Sequence, residues 1–115
     1  MTTPIVFIDF AGPDDAQLRN FYRDVFGWQF DAEGMVDLHF PASIKGAVRK
    51  DPAEKRIYLG VPDVTDALQR IEAHGGSVDQ PRFEVPGVVV LGLFCDPAGN
   101  PMGLVEMDGE QRRIP

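Results

Sequence analysis

Ile57-Tyr58-Leu59-Gly60-Val61-Pro62-Asp63-Val64-Thr65-Asp66-Ala67-Leu68-Gln69-Arg70-Ile71-Glu72-Ala73-His74-Gly75-Gly76 is the stretch that decides the fold. Its first five residues form an apolar, strand-like run closed by Pro62. Asp63 then offers a side-chain oxygen to the unpaired amides of a helix start, and Asp66 lies in the first turn, where a negative charge is favoured. Val64, Ala67, Leu68 and Ile71 repeat at i, i+3, i+4 and i+7, the spacing of one apolar helix face. Gly75-Gly76 stops the helix, and His74 in the last turn suits the carbonyl end of the dipole, a structural reading that outweighs a ligand role.

The same order of signals occurs upstream. An apolar run, Ile5–Phe10, is ended by Gly12-Pro13, and Asp14 can cap a helix with Gln17 three residues on. Leu18, Phe21, Tyr22, Val25 and Phe26 make a broad apolar stripe, so the spacing predicts a helix from about Asp14 to Phe26, terminated by Gly27. Asp63 follows Asp14, and Gly76 follows Gly27, at one common offset of 49 positions. A repeat of that length in one short chain implies two copies of a single supersecondary unit, with any site between them.

Short β-like runs follow each helix. Trp28–Asp31, Met35–Phe40 and Gly46–Lys50 belong to the first half, and Ser77–Val85, Val88–Cys95 and Met102–Met107 to the second. Gly34, Pro41, Gly46, Pro86-Gly87 and Pro97–Asn100 punctuate them as turns. Each half reads β-α-β-β-β, an α+β class. Module one covers about 4–50 and module two about 55–107. The polar, aperiodic tail 108–115 reads as a loose end unless it packs on a partner subunit.

The 115 residues, 43% of them hydrophobic, supply one core rather than two. A net charge of −7, with eleven basic residues scattered among eighteen acidic ones, argues against a nucleic-acid or anionic-membrane surface. Cys95 is the sole cysteine, which leaves no intramolecular disulfide and suits a reducing compartment. No basic segment leading into a long apolar stretch opens the chain, and its longest apolar run, Val88–Phe94, is far short of a membrane span. These features predict a soluble, cytoplasmic protein.

Phe21-Tyr22-Arg23-Asp24-Val25-Phe26-Gly27-Trp28, the His74-Gly75-Gly76 helix end, and Asp96-Pro97-Ala98-Gly99-Asn100-Pro101-Met102-Gly103-Leu104-Val105-Glu106 together resemble the vicinal oxygen chelate superfamily. That group includes glyoxalase I, bleomycin-resistance proteins and extradiol dioxygenases. The resemblance spans nearly the whole chain as one domain, 1–115. It implies two tandem βαβββ modules forming an open, cup-shaped half-barrel with helices outside, usually completed in a homodimer. It also implies a divalent metal, held by one side chain from the first and last strand of each module, that polarises adjacent substrate oxygens. The matching positions depart from this pattern. They fall on Phe7, Arg56, Gly103 and the segment Gly46–Arg49, which contains no His, Asp or Glu. The usual metal site is therefore expected to be missing, with no cofactor; a divalent metal on a non-standard set using His39 or Glu106 is the alternative.

Strand alternation selects the side chains facing the cup. Val6, Ile8 and Phe10 pack against the helices, which sends Ile5, Phe7 and Asp9 inward. Met35, Asp37 and His39 likewise oppose Val36, Leu38 and Phe40, and Arg56 and Tyr58 oppose Ile57, Leu59 and Val61. Phe7, Met35, Val105 and Met107 supply apolar contact area for an organic ligand. Phe7, Asp9, Asp37, His39, Arg56 and Tyr58 are thus the candidate ligand-binding residues. His39, Arg56 and Tyr58 are the catalytic candidates. His39 titrates near neutral pH, but beside Pro41 it also reads as a solvated strand end. Arg56 can bind a carboxylate bidentately, or it can neutralise Asp9 or Asp37. Tyr58 can orient a ligand through its hydroxyl or sit as an amphipathic rim residue. Trp28 reads as a staple between helix and sheet, Glu106 as a solvated strand end of the wrong parity, and Cys95 as a small buried residue. The expected function is metal-independent binding of a small organic molecule. The alternative is a glyoxalase-type lyase, isomerase or epimerase acting beside a carbonyl.

Overall fold

The structure, a computed structural model, describes residues 10–36 and 49–115. Among the described residues, two helices and five strands follow in the order α1 (Asp15–Phe26), β1 (Ile57–Val61), α2 (Val64–Ala73), β2 (Ser77–Val85), β3 (Val89–Cys95), β4 (Pro101–Asp108) and β5 (Gln111–Arg112). The run β1-α2-β2-β3-β4 is one complete βαβββ unit. Of the upstream half, the described residues include α1 and a single antiparallel bridge between Phe30 and Val36. The expected strand Ile5–Phe10 lies outside the described residues except for Phe10, and those at Met35–Phe40 and Gly46–Lys50 lie partly outside them.

Both helices begin as their caps dictate. The Asp14 carboxylate accepts from the Gln17 amide at 3.0 Å, and that of Asp63 from the Asp66 amide at 2.9 Å. Helix α1 stops because Gly27 takes φ 76°, a left-handed conformation that costs a residue without Cβ little. The Gly27 amide then donates to Arg23 O and the Trp28 amide to Tyr22 O, which satisfies the last carbonyls. At the end of α2, His74 Nδ1 lies 2.8 Å from Arg70 O, in keeping with its helix-end role.

The sheet is mixed, with strand order β1-β4-β3-β2 and β5 pairing the end of β4. Strands β2, β3 and β4 are antiparallel neighbours, whereas β1 runs parallel to β4, with Ile57 opposite Met102 and Val61 opposite Glu106. A parallel partner requires a crossover, and α2 begins it. Pro81 is tolerated because β2 is an edge strand of this path, and the β2–β3 register shifts on either side of Gln80.

Both helices cover one face of the sheet. Val64, Leu68 and Ile71 of α2 and Leu18, Phe21, Tyr22 and Val25 of α1 share a buried cluster with Val61, Phe94, Met102 and Leu104. Gly92 permits the close approach of α2, since a Cβ there would lie 2.6 Å from Val64 Cγ1. Trp28 is the staple its position predicts, stacked on Tyr22 with centroids 4.7 Å apart. Behind Tyr22, the Asp96 carboxylate organises the turn before β4. It accepts from the Ala98 and Asn100 amides and from Asn100 Nδ2, while Asn100 Nδ2 also donates to Ala11 O.

The structure corrects two expectations. Glu106 is not a solvated strand end: it is only 2% exposed. Its parity does match Leu104, which turns it toward the helices. There it accepts from the Val64 amide at the start of α2, from Arg82 through two bonds of 2.9 Å, and from Arg113 at 2.9 Å. Arg82 above all, together with the Val64 amide and Arg113, holds the carboxyl down to about 2 against the penalty of burial. The tail is not loose either. Arg112 Nε of β5 donates to Val88 O, and after the strand the Arg113 amide donates to Glu106 O and Pro115 O accepts from the Gly87 amide. A buried carboxylate needs cationic partners, and one of them comes from the tail.

Candidate functional site

The sheet face turned away from the helices carries the candidate site. Residues paired across a sheet share a face, so the registers define two neighbouring rows. Tyr58, Gly103, Leu93 and Gln80 form one, and Gly60, Val105, Leu91 and Phe83 the next. Leu91, Leu93, Val105, Met107 and Phe83 are half-buried, whereas Tyr58 is 43% exposed. Of the residues predicted to face a ligand, Arg56, Tyr58, Val105 and Met107 meet on this surface. Met35 is exposed on the turn before Val36. Phe7, Asp9, Asp37 and His39 lie outside the described residues.

Two glycines shape this surface. A Cβ on Gly103 would come 2.3 Å from Tyr58 Cδ2 and 2.4 Å from its Cε2, so the tyrosine ring occupies the place where residue 103 would carry a side chain. A Cβ on Gly60 would lie 2.8 Å from Met107 Cγ. Each long side chain thus folds over a glycine on the adjacent strand.

Arg56 precedes β1, and its side chain is only 10% exposed. Nη1 donates to Met102 O at 2.6 Å, which draws the guanidinium over the start of β4. Nε and Nη2 donate to the two oxygens of Glu54 at 3.2 and 3.4 Å. Strand alternation points to Asp9 and Asp37 as partners of Arg56, whereas Glu54 lies before the strand, two residues from Arg56, where alternation does not reach. Glu54 also accepts from Arg49, and Arg56 and Arg49 together hold its carboxyl below the usual range. At the same end, Cys95 Sγ donates to Asp79 Oδ2 at 3.4 Å. Partial burial and that carboxylate raise the thiol, with the Arg56 charge opposing them.

Two of the four positions at which the resemblance implies metal ligands can be tested here, and neither fits a divalent cation. Arg56 places a fixed positive charge at one. Gly103 has no donor at the other, and its side-chain space is filled by Tyr58. Among the described residues, no three His, Cys, Asp or Glu side chains gather as a metal site. Sequence alternation identified Arg56 and Tyr58 but passed over Leu91, Leu93 and Phe83, although the parity of Val89–Cys95 would have placed the two leucines on this face.

Residues 5–105 match the model of the glyoxalase-like domain. The chain is 24% identical to CFP32 of Mycobacterium tuberculosis, which carries a glyoxylase name, over 85% of this chain and 43% of that protein. It is 25% identical to the anthracycline biosynthesis protein DnrV of Streptomyces peucetius, over 81% of this chain and 43% of the other. The chain thus spans less than half the length of the curated relatives it matches. Among solved structures, a glyoxalase/bleomycin resistance protein/dioxygenase family enzyme from Burkholderia phytofirmans superposes with a TM-score of 0.61 at 15% identity, covering 81% of this chain and 90% of that one. At that identity the likeness is one of fold. With a family model matched over most of its length, the chain belongs to the glyoxalase-like domain family of the vicinal oxygen chelate superfamily.

Proposed function

We propose that this protein binds a small organic molecule on the sheet face lined by Tyr58, Leu91, Leu93, Val105 and Met107, without a divalent metal. The observation that carries the reading is the pair of substitutions at implied ligand positions: Arg56 is tied to Met102 O and Glu54, and Gly103 is covered by Tyr58. Members of this superfamily typically bind small molecules, and a half-buried apolar face with a few polar groups at one end has the composition of a ligand site. The reading includes a second βαβββ module contributed by residues 4–50, with Phe7, Asp9, Asp37 and His39 on the opposing wall, and a homodimer. Its test is a ligand screen on chelator-treated protein. Retained affinity, weakened by Arg56→Ala and Tyr58→Ala and accompanied by no product, supports it. Affinity restored only by added Zn²⁺, Ni²⁺ or Mn²⁺ overturns it.

The glyoxylase name of CFP32 favours a second reading, a lyase, isomerase or epimerase acting beside a carbonyl. In that case His39 moves the proton and Arg56 steadies the developing oxyanion. Turnover must then vanish in His39→Ala and in Arg56→Ala while folding is kept. Full activity in both variants rules this metal-free chemistry out.

A further inference from the structure

Resting on the binding reading above, we infer that the ligand class of this face is an elongated organic carboxylate with an apolar body of one to two rings, its carboxylate on Arg56. The guanidinium has five N–H groups, and three are used: Nε and Nη2 by Glu54, Nη1 by Met102 O. One N–H on each terminal nitrogen has no partner among the described residues. The side chain is nine-tenths buried, so these donors are held in a largely dry setting where an anionic acceptor is worth more than in water. Glu54 fixes the guanidinium plane, but its carboxylate is also drawn toward Arg49, so it orients the arginine more than it saturates it. A planar fork with two donors unpartnered among the described residues is matched by a carboxylate better than by any neutral group.

The register sets the size of the rest. From Arg56 the strands advance about 7 Å to the row Tyr58-Gly103-Leu93 and about 13 Å to the row Gly60-Val105-Leu91. Leu93, Leu91, Val105 and Phe83 make both rows largely apolar, with the Tyr58 hydroxyl and the exposed Gln80 amide as polar groups on the first, and glycine at 60 and at 103 keeps the strand backbones low beneath Met107 and Tyr58. An acid with a body spanning one or both rows would place its charge on Arg56 and its apolar surface on Leu93, Val105 and Leu91. A neutral molecule of the same length would leave the two terminal N–H groups without an anionic acceptor, and a compact, highly hydroxylated one would lay its hydroxyls on Leu93, Val105 and Leu91.

The experiment uses three probes of like shape, 2-naphthoate, 2-naphthamide and 2-naphthylmethylamine, titrated by calorimetry and by methyl NMR of Leu91, Leu93, Val105 and Met107. Expected is saturable binding of the naphthoate that shifts those methyls and weakens with salt. Arg56→Gln should weaken it about tenfold or more, Arg56→Lys should restore part of the loss, and naphthamide affinity should fall much less than naphthoate affinity in both variants. Equal binding of naphthoate and naphthamide in the wild-type protein overturns the carboxylate class while leaving a ligand site on this face. No methyl shift with any of the three, in protein whose spectrum is that of a folded chain, overturns both the class and the binding reading beneath it.

Discussion

The Tyr22 hydroxyl donates to Asp96 Oδ2 across 3.0 Å, joining residues 74 apart in sequence within the buried core. Burial first, and the Asp96 carboxylate second, keep the phenol protonated well above its usual range. The aromatic helix motif and the DP-x-GN turn, which look like two independent signatures, are therefore the two ends of one contact. Tyr22→Phe keeps the ring stacked on Trp28 but removes the donor, and Asp96 retains its three other bonds. A loss of about 2 kcal/mol is expected from urea unfolding. Because the folded phenol titrates above the unfolded one, its contribution is complete below pH 10 and fades as the pH rises beyond that value. Tyr22→Phe should blunt this alkaline decline.

Glu106 sets the acid limit. Its carboxyl is held at about 2 in the folded chain against 4.5 ordinarily. The stabilisation it provides is complete above the higher value and is lost as the pH falls from there toward the lower. Glu106→Gln should cost about 3 kcal/mol at neutral pH, the lower end for breaking a buried ion pair, since both arginines are part exposed and can be hydrated. The variant should also lose less stability than the parent on acidification. An acid profile indistinguishable from the parent's would remove Glu106 from this role.

The two arginines on Glu106 are unequal. Arg82 engages it through Nε and Nη2, Arg113 through Nη1 alone. Arg82→Ala should therefore destabilise more than Arg113→Ala, and Arg113→Ala should speed amide exchange chiefly at residue 113, which donates to Glu106 O, and at Gly87, which donates to Pro115 O of the tail. Equal effects of the two substitutions would contradict the bidentate geometry.

Gly92 and Gly103 face opposite sides of the sheet and should respond differently to alanine. At Gly92 the new methyl meets Val64 and Leu68 beneath α2, and the expected cost is about 1–3 kcal/mol. At Gly103 it meets only Tyr58, a partly exposed ring that can swing away. Gly103→Ala should cost less in stability but change the Tyr58 ring signals, and Tyr58→Ala should suppress its remaining cost in a double-mutant cycle. A Gly103→Ala cost unchanged by Tyr58→Ala would place the clash elsewhere.

What was legible in the sequence was what is locally encoded. The caps Asp14 and Asp63, the stops at Gly27 and Gly75-Gly76, and the strands Ile57–Val61 and Ser77–Val85 appear where spacing put them, because each depends on neighbours a few residues away. Alternation likewise put Arg56 and Tyr58 on one face. Glu106 escaped because its partners come from β2, the tail and the start of α2, and only the folded topology brings those together. The tail was misread for the same reason, as Arg113 is an ordinary polar residue until a buried carboxylate lies beside it.

The parallel pairing of β1 with β4 has a consequence for how the chain is made. Ile57 leaves the ribosome 45 residues ahead of Met102, its partner across the ladder. Throughout that interval the hydrogen-bonding edge of β1 on this side has nothing to join, and the start of α2 lacks the Glu106 carboxylate that accepts its first amide. Non-local pairings of this kind are slow to form and leave apolar strand edges exposed meanwhile. Emergence of Met102–Glu106 is thus the event that closes the unit, and a translational pause just before this segment should raise aggregation of the nascent chain, whereas one just after it should not.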